Sequence, residues 1–132
     1  MLYHDYNLIT HQIIKAAIEV HRHFGPGLME SVYEVCLCQE LITMGLYIER
    51  QKVLPVIYKG YDLHKYFVID LLIENEIVLE LKSVEGILPI HEAQLVTYLK
   101  LSNKKLGLLI NFNVPVLKDG IRRRINGKLN HK

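Results

Sequence analysis

Cysteine is nearly absent: Cys36 and Cys38 are the only two in 132 residues. They sit two apart on a predicted helix and so point in different directions, which argues against a disulfide or a zinc site. The seven histidines include no HxxxH pair, so they read as surface or locally bonded groups. No apolar run approaches the roughly 18 residues needed to span a bilayer, and no signal peptide is seen. A cytoplasmic protein without membrane contact is expected. Repeats, low-complexity stretches and linker-like segments are also missing, so residues 1–132 are expected to form one domain with one core.

Charge of one sign is scarce overall, with a net of only +2, but it is unevenly placed. From Lys118 to Lys132 six basic residues face one acid, a net of +5; the rest carries ten basic and thirteen acidic residues, a net of −3. This basic segment, with Arg122, Arg123 and Arg124 at its centre, suits an anionic partner such as nucleic acid. A solvated tail would look the same.

What the chain does have is a hairpin, Tyr66–Ser83, reading YFVIDLLIENEIVLELKS. Two apolar β-type arms flank a polar break at Glu74–Glu76. Asp70, Glu80 and Lys82 stand inside those arms, where a lone buried charge costs several kcal/mol unless it is paired or binds a metal. Side chains alternate along a strand, so Phe67, Ile69, Leu71 and Ile73 share one face, as do Ile77, Leu79 and Leu81. If both apolar faces meet one core, Asp70, Glu80 and Lys82 project together on the other. That register needs a loop with an odd number of residues, or a bulge.

Around the hairpin, residues 8–23 space Ile9, Ile13, Ala17, Ile18 and His21 as an amphipathic helix, ending at Phe24-Gly25-Pro26-Gly27. A second helix is expected from about Leu28 to Met44, stopped by Gly45. Glu30 and Glu34 are one turn apart on it; they either suit the helix macrodipole or bring a third carboxylate, Glu30, toward the hairpin. Tyr47–Tyr58 reads as a strand that Pro55 confines to an edge or a bulge. Lys59-Gly60-Tyr61-Asp62 is a turn. A helix follows from about Ile90 to Leu101, with Ala93, Val96 and Leu99 on its apolar face and Gln94 and Tyr98 neighbours on one side. Leu106–Phe112 suits a strand buried on both faces, and Ile121–Ile125 an arginine-rich edge strand. The order implies an α/β layer architecture.

Two carboxylates with a lysine beyond the second suit magnesium-dependent attack on a phosphodiester. Magnesium takes oxygen ligands and usually accepts only one or two protein carboxylates. Asp70, Glu80 and the Leu81 backbone carbonyl could supply them, with Lys82 orienting water or offsetting negative charge. A structural ion pair of Lys82 with either acid is the plainer alternative.

Asp70, nine residues, then Glu80-Leu81-Lys82 resembles the signature of the PD-(D/E)XK nuclease superfamily. Gln94-Leu-Val-Thr-Tyr98 resembles the Q-x-x-x-Y motif of its RecB-like exonuclease branch, and GLMESVY at Gly27–Tyr33 the defining stretch of the bacterial GxxExxY family. HEAQLVTYLKL and GLLINFN are similar to further segments of that family, and together the likeness spans about His11 to Arg123. It implies a restriction-endonuclease-like αβββαβ core over about 28–113, preceded by an extra N-terminal helix. It also implies Mg2+ or Mn2+ as cofactor, Asp70, Glu80 and Lys82 as metal and catalytic positions, Glu30 as the acid of the first core helix, and Gln94 and Tyr98 as supporting residues. Ile69 stands where the superfamily name has proline. Val68 stands where the GxxExxY family has a basic residue, a departure that implies reduced activity if that residue binds phosphate. The expected function is a nuclease acting on nucleic acid, with DNA as substrate. A nuclease fold that binds without cutting, or an interaction subunit completed by a homodimer or a larger partner, are the other readings.

Overall fold

The computed structural model describes residues 2–129. Helices α1 (Tyr3–Phe24) and α2 (Glu30–Thr43) precede strands β1 (Ile48–Tyr58), β2 (Tyr61–Ile73) and β3 (Ile77–Lys82). Helix α3 (Pro89–Ser102) leads to β4 (Leu106–Asn111), and a short 3-10 turn at Leu117–Gly120 to β5 (Ile121–Ile125). This is the order read from the sequence. Lys132, the last residue of the basic segment, lies outside the described residues. No helix among the described residues is long and apolar enough to cross a membrane.

The five strands form one sheet in chain order, β1 to β5. β3 and β4 are parallel, joined by the crossover helix α3; every other neighbour pair is antiparallel. β1 is the edge strand expected from Pro55, and its register slips between Pro55 and Ile57. An edge position beside a register slip is where a strand tolerates proline's missing N–H. Helices α1 and α2 cover one side of the sheet, with Ile13, Leu37 and Leu41 against Leu79, Leu108 and Ile110. α3 covers the other, with Leu95 and Leu99 against Leu72, Val78 and Leu109. All six residues of β4 are buried, as expected of a strand sandwiched between layers.

Two details of the helices differ from their sequence patterns. In α1 Ile18 faces solvent, and Ala16 and Val20 take the core positions beside Ala17. In α3 the buried pair is Leu95 and Leu99, while Ala93 is exposed. Periodicity leaves helix phase ambiguous when apolar residues surround the axis, and the sheet chose. For α3 the choice has a visible cause: Gly107 of β4 offers no side chain, and a Cβ there would lie 2.7 Å from Leu95 Cδ1. The glycine admits Leu95 close to the strand.

Gly120 is more tightly held, because a Cβ there would collide with the backbone oxygen of Asn111. Backbone cannot swing aside as a side-chain tip can. Gly120→Ala is therefore expected to cost about 1–3 kcal/mol and to lower Tm by roughly 3–15 °C. Gly86→Ala, with nothing within 4 Å of the added carbon, should leave Tm almost unchanged. Thermal melts of both variants check this, and equal shifts would contradict it.

Candidate active site

The β2–β3 ladder runs only through Leu71↔Leu79, Leu72↔Val78 and Ile73↔Ile77. Its loop, Glu74–Glu76, has three residues, the odd number that the shared apolar face requires; Glu74 and Asn75 take left-handed φ values of 53°. Beyond Leu71 the strands part. In that gap the Asp70 N–H donates to Glu80 Oε1 (3.2 Å) and the Leu81 N–H donates to Asp70 Oδ2 (2.8 Å). Each carboxylate thus takes a backbone donor of the opposite strand, where a ladder carbonyl would otherwise sit.

The acids arrive there by a route the simple alternation did not foresee. Phe67 and Ile69 lie on the α3 side, Phe67 against the Tyr98 ring at 5.6 Å and Ile69 with Leu95 and Leu99, whereas Leu71 and Ile73 join the α1/α2 core. The pleat is therefore reversed between Ile69 and Leu71, at Asp70. The partner strand turns at the same level. Gln51 has a left-handed φ of 51°, and Arg50 and Gln51, though adjacent, both donate to Glu34 of α2 (2.9 and 2.7 Å). So the four apolar residues Phe67–Ile73 do not share one face, and Asp70 does not project with Glu80 and Lys82 as the alternation predicted. It lies on the α2 side and they on the α3 side, the two carboxylates meeting through the gap between the strands. Asp70 opens into a hollow of about 160 Å³ lined with Glu30, Ser31, Glu34, Gln51 and Leu81. Glu80 pairs with Leu109, a residue of the α3-facing core, and lies on that side with Lys82 two residues on.

Glu80 is buried. Desolvation first, and then the neighbouring Asp70 carboxylate, push its pKa up to about 9, with Lys82 acting in the opposite direction. Lys82 is thus close enough to be felt, yet it has no carboxylate oxygen within 4 Å among the described residues. The structural ion pair considered above is not formed. Tyr98 lies beside the acids, its hydroxyl pKa raised by burial and then by Glu80 and Asp70. Gln94 is exposed one turn earlier on α3.

Glu30 reaches the hairpin: its Oε1 accepts the Ser83 N–H at 3.3 Å, and it lines the hollow with Asp70. The segment before it explains how. Gly27 holds a φ of 101° that side-chain-bearing residues resist. Tyr33, fully buried, donates its hydroxyl proton to the Gly25 carbonyl and accepts from the Leu28 N–H (3.1 Å), while its ring stacks on Phe112 at 4.4 Å. Ser83 Oγ donates to the Leu28 carbonyl. Gly27, Glu30 and Tyr33 therefore form one device that aims the start of α2 at the end of β3. Sequence spacing did not single out Gln51, Ser83 or the bond of Arg50 to Glu34; a left-handed glutamine in a strand leaves no pattern in the residues.

The three arginines of β5 are divided. Arg123 pairs with Leu108 on the α1/α2 side and donates to Asn7; Arg122 and Arg124 lie on the α3 side, Arg124 within 3.3 Å of Glu92 Oε1. They do not form one basic patch, because successive strand residues point to opposite sides of the sheet.

No three His, Cys, Asp or Glu side chains among the described residues converge to hold a metal by themselves. A smaller oxygen set fits a hard divalent cation, which needs only one or two protein carboxylates. Asp70 and Glu80 are adjacent, and no cation pairs with them within 4 Å. The Lys82 carbonyl accepts from Phe112 of the β4 side, whereas Leu81 directs its N–H, and with it its carbonyl, toward Asp70.

A family model described as the PD-(D/E)XK nuclease superfamily matches residues 7–124. Among curated proteins nothing matches the chain, and among solved structures nothing does.

The folded chain holds a proton on Glu80 that the unfolded chain releases above its ordinary value of 4.5. Without added metal, stability is therefore expected to be full below that value and to be lost as pH rises toward about 9. Glu80→Gln, which mimics the protonated form, should flatten this fall and melt several degrees above wild type at mildly alkaline pH. Added Mg2+ should raise the Tm of wild type and not of the variant. Thermal melts across pH check this; parallel pH curves for the two proteins would contradict it.

Proposed function

Because the chain belongs to the PD-(D/E)XK nuclease superfamily, we propose that it is a divalent-metal-dependent nuclease that hydrolyses phosphodiester bonds of DNA. The observation that carries this reading is the reciprocal placement of Asp70 and Glu80 in the gap between β2 and β3. Fold membership alone does not establish chemistry. A buried Glu80 next to a half-buried Asp70, with no side-chain cation within 4 Å of either among the described residues and a lysine without an ion-pair partner beside them, supports it.

In this reading Asp70, Glu80 and the Leu81 carbonyl hold Mg2+ or Mn2+. Such an ion, when bound, acidifies a water and offsets charge on the phosphate. Lys82, on the side of Glu80, orients the attacking water or stabilises negative charge developing on the phosphoryl oxygens. Glu30 extends the acidic lining, and Tyr98, with Gln94 one turn away, contacts the nucleotide beside the scissile bond. The Gly27–Tyr33 device and the Gln94/Tyr98 pair support a place in the GxxExxY family and the RecB-like branch. The reading takes residues 1–132 as one nuclease-like domain acting in the cytoplasm, with a second copy or a larger protein partner extending a small core.

Cleavage of single- and double-stranded DNA with Mg2+ or Mn2+ tests this. Asp70→Ala and Lys82→Ala are expected to lower the rate on the order of 10²-fold or more without loss of fold by circular dichroism. Equal activity in wild type and both variants would remove the proposal.

A further inference from the structure

The hairpin of β1 and β2 is longer than the body it belongs to. β3 pairs with β2 only as far as Leu71, and the first eight residues of β2, Tyr61–Val68, are all exposed. Beyond Leu54 and Phe67, which pack on the α3 side, the two strands continue as an arm that neither helical layer covers. Its tip is a two-residue turn, Lys59-Gly60, with both φ values positive (49° and 83°), the geometry that matches strand twist in a tight hairpin.

The arm carries aromatic rings where a solvated hairpin would carry polar groups. Tyr58, Tyr61 and Tyr66 are 58%, 70% and 56% exposed, so most of each ring is open to a ligand. Tyr58 and Tyr61 face each other across the strands at the tip. Tyr66 and Val68 fall on the same side of β2 as Asp70 by alternation, four and two residues away. At about 3.4 Å per residue, Tyr66 lies roughly 14 Å from Asp70 along the strand.

Charge on the arm is net positive. Between Lys52 and Val68 three lysines stand against one aspartate. Lys52 is held by Glu49, but Lys59 and Lys65 have no carboxylate within 4 Å among the described residues. The Lys59 ammonium rests 5.4 Å from the Tyr58 ring centroid. Open aromatic faces with unneutralised cations between them are what an unpaired nucleic-acid strand requires: bases stack on the rings, and the lysines follow the phosphates. A duplex offers its bases already stacked on one another, so rings on a hairpin gain little from it. A second copy of this chain docked arm to arm would bring the same lysines together at a cost in repulsion.

We propose that the β1–β2 arm is a stacking platform for unpaired nucleotides, with Tyr58, Tyr61 and Tyr66 taking bases and Lys59 and Lys65 the backbone, so that a single strand is led along β2 to the Asp70–Glu80 gap. The proposal rests on the nuclease reading for the class of its ligand. It assigns the arm to substrate choice rather than to the chemistry.

Binding measured in EDTA separates the two, since no strand is cut there. Fluorescence anisotropy is read with a labelled single-stranded DNA, an RNA of the same sequence and the corresponding DNA duplex. The wild-type chain is expected to prefer the strands to the duplex, the DNA and RNA probes showing which strand it favours. Tyr61→Ala and Tyr66→Ala should each weaken strand binding about tenfold, as loss of one base stack implies, while Tyr61→Phe and Tyr66→Phe, which keep the ring, should bind as wild type. Melting temperatures should match throughout, because these side chains are outside the core. Strand affinity unchanged in the alanine variants, preference for duplex, or a concentration-dependent dimer that the alanine variants dissociate without change in strand affinity would each overturn the platform. Strand binding through the arm by a chain that cuts nothing with metal would instead remove the nuclease reading and leave the platform standing.

Discussion

The structure depends on where β2 stops pairing with β3. Had the ladder continued past Leu71↔Leu79, the N–H groups of Asp70 and Leu81 would have met backbone carbonyls, and the two acids would have been ordinary strand side chains. Because the strands part, those donors need other acceptors, and burial makes an unmet N–H costly by about 1–3 kcal/mol. The Asp70 and Glu80 carboxylates fill the vacancy. One local exchange thus satisfies the backbone, brings two acids together and leaves one of them with a strongly raised pKa. The same exchange serves folding and chemistry.

The surroundings read as support for that gap. On one side Gly27, Tyr33 and Ser83 lock the start of α2 to the end of β3 and bring Glu30 to the hollow. Asn111, buried at the end of β4, holds the segment after β3 by accepting from Val84 N–H and donating to its carbonyl. On the other side α3, drawn close by Gly107, carries Tyr98 to the acids. The reversal of the pleat at Gln51 and Asp70 lets one hairpin serve both sides of the sheet. It also lets the hairpin leave the body as an arm, so the element that makes the site extends beyond it.

Much of this was legible in the residues. Element order, the odd-numbered loop, the edge character of β1 and the doubly buried β4 follow from period, turn chemistry and proline, which are local properties. The charges at Asp70, Glu80 and Lys82 stood out because hydrocarbon is expected there. Glu30 was ambiguous for a physical reason: an acid in a helix's first turn is favoured by the dipole whether or not it serves a site. Only the bond to Ser83 distinguishes the two.

What lies in the chain alone, then, is which segments are strands and helices, and which charges break their apolar pattern, since these are set by each residue and its near neighbours. Tertiary structure decided the rest: the phase of α1 and α3, the reversed pleat, the splitting of the arginines across β5, and the absence of an ion pair at Lys82. Each of these depends on packing between segments distant in sequence, where a side chain's direction is chosen by the partner it meets and not by the residues beside it.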